Sequence, residues 1–101
     1  MATSYLETLA ADRRLKLLQL LRDNGGSANE EVLRTALAQL GHRRGVTRDL
    51  LRADLDMLRG HNLVRHEWLE QLLVAHLQER GLDVVAGDVA IEGIAAPKIT
   101  G

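Results

Sequence analysis

Arg48 and Arg52 stand four residues apart, a spacing that brings both guanidiniums onto one face of a helix. A guanidinium is a rigid fork of donors; it suits two-point contact to the edge of guanine and also simple contact to phosphate. Arg43 and Arg44 come just ahead of this helix, and two cations beside a helix N-terminus favour a phosphate. The chemistry these four residues suggest is binding to duplex DNA. A plainer reading is a solvated face on which Arg48 meets Asp49, and Asp56 meets Arg52 or Arg59. Between residues 48 and 59 three arginines and three aspartates cancel.

Other chemistry finds less support. Four histidines (His42, His61, His66, His76) invite a metal reading, but no His-x-His or His-x-x-x-His pair occurs and cysteine is absent, so no metal or other cofactor is expected. Gly25-Gly26-Ser27 precedes a helix without the lysine of a phosphate-binding loop. Glu30 and Glu31 are adjacent, so on a helix they diverge by about 100° and do not make an acid–base pair. An enzyme is not expected.

The 101 residues suit one domain, with residues 97–101 as a loose tail after a domain of residues 1–96. With no Phe, one Trp and one Tyr, the core must be mostly Leu, Val and Ala. No apolar run long enough for a membrane span and no secretory leader is visible, which fits a cytoplasmic protein. The net charge of −1 argues against a strongly basic surface, but the charge is uneven. Residues 41–66 hold six arginines and three aspartates, an excess of +3, which leaves −4 elsewhere.

Helical and alternating patterns then place these residues. Ser4 and Glu7 form a capping box ahead of a helix from about Tyr5 to Asp23, stopped at Asn24-Gly25-Gly26. Its apolar residues Leu6, Leu9, Ala10, Leu17, Leu20 and Leu21 share helical spacing, with Leu15 and Leu18 outside the stripe. The second half is therefore apolar over more than one face, which is explained either by a central core helix or by a homodimer contact. Ser27 and Glu30 read as a second capping box for a helix to about Leu40, with Val32, Leu33, Ala36, Leu37 and Leu40 as one stripe. Thr47 caps the next helix, about Arg48 to Arg59, whose Leu51, Leu55 and Leu58 face the core. Residues 64–77 alternate as a hairpin turning at Glu70-Gln71. Val64, His66, Trp68, Leu73, Ala75 and Leu77 would face inward, and Arg65, Glu67, Leu69, Leu72, Val74 and His76 outward. A continuous helix from Glu67 to Arg80 competes with the hairpin. A short helix from Gln78 to Ala86, with Leu77, Leu82, Val85 and Ala86 as its apolar side, stops at Gly87. Gly81 is a weak point inside it. One short extended segment follows.

Three stretches carry a family likeness: residues 14–21, residues 46–58 leading into Leu63-Val64, and residues 77–87. In that order they resemble winged-helix proteins of the broad bacterial ArsR- and MarR-like group. The whole, including the Gly-Gly-Ser-Ala-Asn-Glu turn at residues 25–30, resembles small winged-helix proteins of Mu-like prophages over about residues 12–96. The chain departs from the pattern at Gln78, where a capping Thr is usual, and in a hairpin turn without Gly. The resemblance implies a mostly α winged helix-turn-helix, with a three-helix core, a β-hairpin wing and a short C-terminal helix. It implies that Thr47, Arg48, Asp49, Arg52 and Asp56 face the major groove, with Arg43 and Arg44 at the turn and Arg65, Glu67 and Gln71 on the wing. The expected function is duplex-DNA binding as a homodimeric regulator of transcription, prophage genes included. The alternative is a protein-interaction module of the same shape, with Leu69, Leu72 and Val74 against a partner.

Overall fold

The computed structural model describes residues 4–42 and 45–98. Seven elements follow one another: α1 (Tyr5–Asp23), β1 (Ser27–Asn29), α2 (Glu30–Gln39), α3 (Arg48–Gly60), β2 (Val64–Leu69), β3 (Leu72–Leu77) and α4 (Glu79–Ala86). The chain is thus mixed α/β, with four helices beside a three-stranded antiparallel sheet ordered β1-β3-β2. The expectation of a mostly α chain with a two-stranded hairpin is corrected by β1.

That strand also corrects the reading of Ser27 as a helix cap. Ser27, Ala28 and Asn29 pair with His76, Ala75 and Val74 on the free edge of β3. Asn29 is the cap instead, its side-chain oxygen accepting from the Val32 N–H at 2.9 Å. The Ser-x-x-Glu pattern is real as a sequence but is used otherwise.

α1 runs through the centre and packs against α2, α3, α4, β1 and β3. Leu15, Leu17, Leu18 and Leu21 are all buried within the one chain, so its all-round apolar second half is accounted for without a partner. Its first turns differ, since Leu6 is 75% exposed. On α2 the expected single stripe divides: Leu33 and Leu37 are buried, while Val32 and Leu40 are about half exposed. On α3 Leu51, Leu55 and Leu58 are buried as expected, and Asn62, at φ 61°, turns the chain while the Leu63 N–H closes on the Leu58 carbonyl.

The hairpin has the register read from the sequence, with Leu69 opposite Leu72 and Arg65 opposite His76, so the competing helix is absent. Val64, Leu73 and Ala75 face the core; Trp68, expected there, is 54% exposed near the hairpin turn. The turn closes without glycine by holding Glu70 at φ 57°. α4 buries Gly81, Val84 and Val85, while Leu82 and Ala86, expected inward, are exposed. Gly87 ends it in the left-handed region at φ 86°. The expected extended segment after it is not a strand. Residues 88–95 fold back on α1, burying Ile94, and the Ala95 N–H donates to the Ala11 carbonyl at 3.0 Å.

Gly81 is a close approach rather than a weak point. A Cβ there would lie 2.4 Å from the Leu63 carbonyl oxygen and 2.6 Å from Leu77 Cδ1. Gly81→Ala is therefore expected to destabilise by about 2 kcal/mol, outweighing the roughly 1 kcal/mol that alanine gains over glycine in a helix. Gly60→Ala, where an added carbon meets nothing within 4 Å, is expected to be neutral or slightly stabilising. Urea midpoints of the two variants at equal slope check both.

Candidate nucleic-acid interface

Thr47 starts α3, its hydroxyl oxygen accepting from the Leu50 N–H at 3.1 Å. The amphipathic spacing of α3 then turns Arg48, Asp49 and Asp56 to solvent. Arg59 donates to Asp56 at 3.1 and 2.5 Å, and this ion pair holds the Asp56 carboxyl below its ordinary pKa. Arg65 is exposed on β2 beside the diagonal His76–Glu67 contact of 2.8 Å. Arg43 and Arg44 lie outside the described residues.

Arg52 has a different place. Its Nε donates to Glu30 Oε1 at 2.7 Å and its Nη2 to Glu30 Oε2 at 2.9 Å, a two-point clamp. Nη2 also reaches the Gln71 carbonyl at 3.1 Å, and the guanidinium carbon lies 5.0 Å from the centre of the Trp68 ring. Arg52 therefore braces the hairpin against α3. Glu30 is 2% exposed and also accepts from the Leu73 N–H at 2.6 Å. The register would set Glu30 opposite Leu73, but the chain has already turned into α2; the carboxylate takes the place of the next ladder bond. The Arg52 hydrogen bonds draw the Glu30 carboxyl below its ordinary value against the opposing effect of burial, and the Leu73 N–H adds to them. The same pair raises the Arg52 pKa. With Arg52 matched by Glu30 and Arg59 by Asp56, Arg48 is, among the described residues of α3, the guanidinium without an ion pair. It borders a hollow of about 330 Å³ between the starts of α2 and α3 and the hairpin turn, together with Glu31, Leu69 and Glu70.

A second buried carboxylate was missed in the sequence. Asp54, 1% exposed, accepts from both Arg13 and Arg14 of α1, the latter at 3.0 Å, and Arg14 also donates to the Gly93 carbonyl at 3.0 Å. Its signal was there: three residues after Leu51 and four before Leu58, Asp54 falls inside the apolar stripe. The histidines do not converge. Nε2 of His42 donates to Asp12 at 2.8 Å, and Nε2 of His66 donates to the Leu55 carbonyl at 3.1 Å. Burial pulls the Asp12 carboxyl upward, but the His42 and Lys16 hydrogen bonds outweigh it and the net shift is down. Burial lowers the His66 pKa. Among the described residues no three histidine or carboxylate side chains are grouped as metal ligands are, and no helix is long and apolar enough to cross a membrane.

The chain is thus a small mixed α/β domain with a braced hairpin beside an amphipathic helix. No family model and no solved structure matches the chain. Two relatives do. The gp26 protein of Escherichia phage Mu is 37% identical over 92 residues, covering 91% of this chain and 94% of that protein. A protein of Haemophilus influenzae strain Rd is 34% identical over 80 residues, covering 78% of this chain and 76% of that one. Both carry the description "uncharacterized". The chain belongs to the family of phage Mu gp26, which meets the likeness to Mu-like phage proteins drawn from its sequence.

The Glu30 clamp has a pH signature. Because the native carboxyl is more acidic than its ordinary 4.5, the stabilisation is complete above pH 4.5 and is lost as pH falls through the lower native value. Glu30→Gln is expected to cost about 1–3 kcal/mol at pH 7, and the gap from wild type is expected to narrow below pH 4.5. Urea denaturation of both proteins between pH 7 and pH 3 measures this; a gap that stays constant through that range excludes Glu30 as the titrating group.

Proposed function

We propose that this chain is a winged helix-turn-helix domain that binds duplex DNA, in the manner of a phage-encoded regulator of transcription. The observation that carries the proposal is the element order α1-β1-α2-α3-β2-β3, with β1 on the outer edge of β3 and the charged face of α3 left open beside the hairpin tip. A helix of this length and polarity fits a major groove, and the hairpin beside it is placed to follow the backbone.

The residues divide by role. Arg48 reaches bases or phosphates from the first turn of α3. Thr47 fixes where that turn begins. Arg43 and Arg44 stand in the connection from α2 and supply phosphate contacts. Asp49 and Asp56 line the same face as acceptors, and Arg65 contacts backbone from β2. Arg52 does not read bases under this proposal; it keeps the wing in position.

A second reading rests on one observation. Trp68 and Leu69 at the hairpin tip are each 54% exposed, which fits a tip that enters a partner protein. Of the outward aliphatics Leu69, Leu72 and Val74, only Leu69 is strongly exposed.

Binding of the purified protein to random-sequence duplex across a salt series tests the proposal. Affinity should fall with a log–log slope of about −0.9 for each phosphate neutralised. Arg48→Glu combined with Arg65→Glu should weaken binding about tenfold or more, a change of about 1.4 kcal/mol or more. Absence of binding at about 50 mM salt, where phosphate contacts are strong, overturns the DNA reading. If Leu69→Asp then removes capture of a partner protein while leaving the fold intact, the second reading replaces it.

A further inference from the structure

At the end of α3 remote from the hairpin turn, about 16 Å along the helix from Arg48, the end of α3 and the starts of β2 and α4 enclose a hollow of about 400 Å³. Arg59, Asn62, Arg65, His66 and Gln78 line it around the buried Val64. No carboxylate is among them. That sets it apart, since the hollow at Arg48 also holds Glu30, Glu31 and Glu70, and the groove at Arg14 holds Glu7 and Glu92.

Its donors are largely uncommitted. The side chains of Arg65 and Asn62 make no hydrogen bond or ion pair among the described residues. Arg59 meets Asp56 through Nε and Nη2, which leaves Nη1. Gln78 makes no cap bond to α4; one amide hydrogen reaches the His76 carbonyl at 3.3 Å and the other is unused. His66 spends its Nε2 proton on the Leu55 carbonyl and walls the hollow with its ring. Glu67, on the same strand as Arg65, is held by His76. The carbonyls of Met57, Leu58 and Arg59, which end α3, accept from the N–H groups of His61, Leu63 and Asn62, so they present little free acceptor to an anion.

We propose that this hollow binds a phosphoryl group, with the guanidiniums of Arg59 and Arg65 donating to its oxygens and the amides of Asn62 and Gln78 completing the contact. The group belongs to a small phosphorylated molecule or to the backbone of duplex DNA; the chemistry is the same. The site does not need α3 to enter a groove, so it and the DNA reading can fail separately.

NMR of the side-chain N–H groups of Arg59, Arg65, Asn62 and Arg48 tests this as sodium phosphate replaces sodium chloride at constant ionic strength. The first three should shift and saturate, with a midpoint of about 10 mM or below, while Arg48, which shares its hollow with three glutamates, should not. Arg65→Gln should raise the midpoint about tenfold with unchanged circular dichroism. Asn62→Gly should raise it as well, and glycine accepts the backbone φ of 61° at that turn. If inorganic phosphate gives no response, a short duplex should shift the same signals, and Arg65→Gln should then flatten the salt slope by about 0.9; this outcome assigns the group to DNA. Saturable phosphate binding without duplex binding keeps the site and removes the DNA reading. Signals of Arg59, Arg65 and Asn62 that respond to neither, or that in phosphate move only in step with Arg48, overturn the proposal.

Discussion

The carboxylate of Glu30 is the point on which the rest of the arrangement depends. It sits at the junction of β1 and α2, where the backbone leaves the sheet. One oxygen accepts from Arg52 alone, and the other from Arg52 and the Leu73 N–H. Through that one group α2, α3 and β3 hold a common geometry. The brace extends through Arg52 to the Gln71 carbonyl and the Trp68 ring, so a hairpin turn without glycine is supported from outside. A charge-assisted clamp of this kind is directional, and its geometry is lost if any member moves far.

Asp54 does the corresponding work on the opposite side of α3, through Arg13 and Arg14 and onward to the Gly93 carbonyl. The core between these two pins is mostly leucine, without a single phenylalanine. Leucine contacts supply much of the burial but little orientation, because burial of apolar area is non-directional. The two buried carboxylates add what leucine lacks: a fixed seat for α3 against α1 on one side and against the sheet on the other.

The sequence was legible where the signal was local. α1 and α3 begin at Ser4 and Thr47 caps that contact their own next turn, and the hairpin register follows from strict alternation. It was hardest to read where a residue had two local uses. Ser27 and Glu30 satisfy a capping pattern, yet Ser27 pairs with His76 forty-nine positions away, and Glu30 serves Arg52 and Leu73. A three-residue strand has no periodicity to announce it. Trp68 alternates correctly with Val64, but how deeply each is buried depends on what packs over the strand, a tertiary property. Of the proposed interface, the exposed placement of Arg48 was legible from helical spacing. The commitment of Arg52 was not, because its partner is twenty-two residues away on another helix.

The exposed position of Trp68 has a spectroscopic consequence. It is the chain's one tryptophan, and in the folded protein its indole is half in solvent beside a guanidinium rather than in the leucine core. Its emission therefore starts close to that of an indole in water, and the loss of the core alters it little. What it does report is the state of the hairpin tip: release from Arg52, or a shift to the blue when something covers the ring.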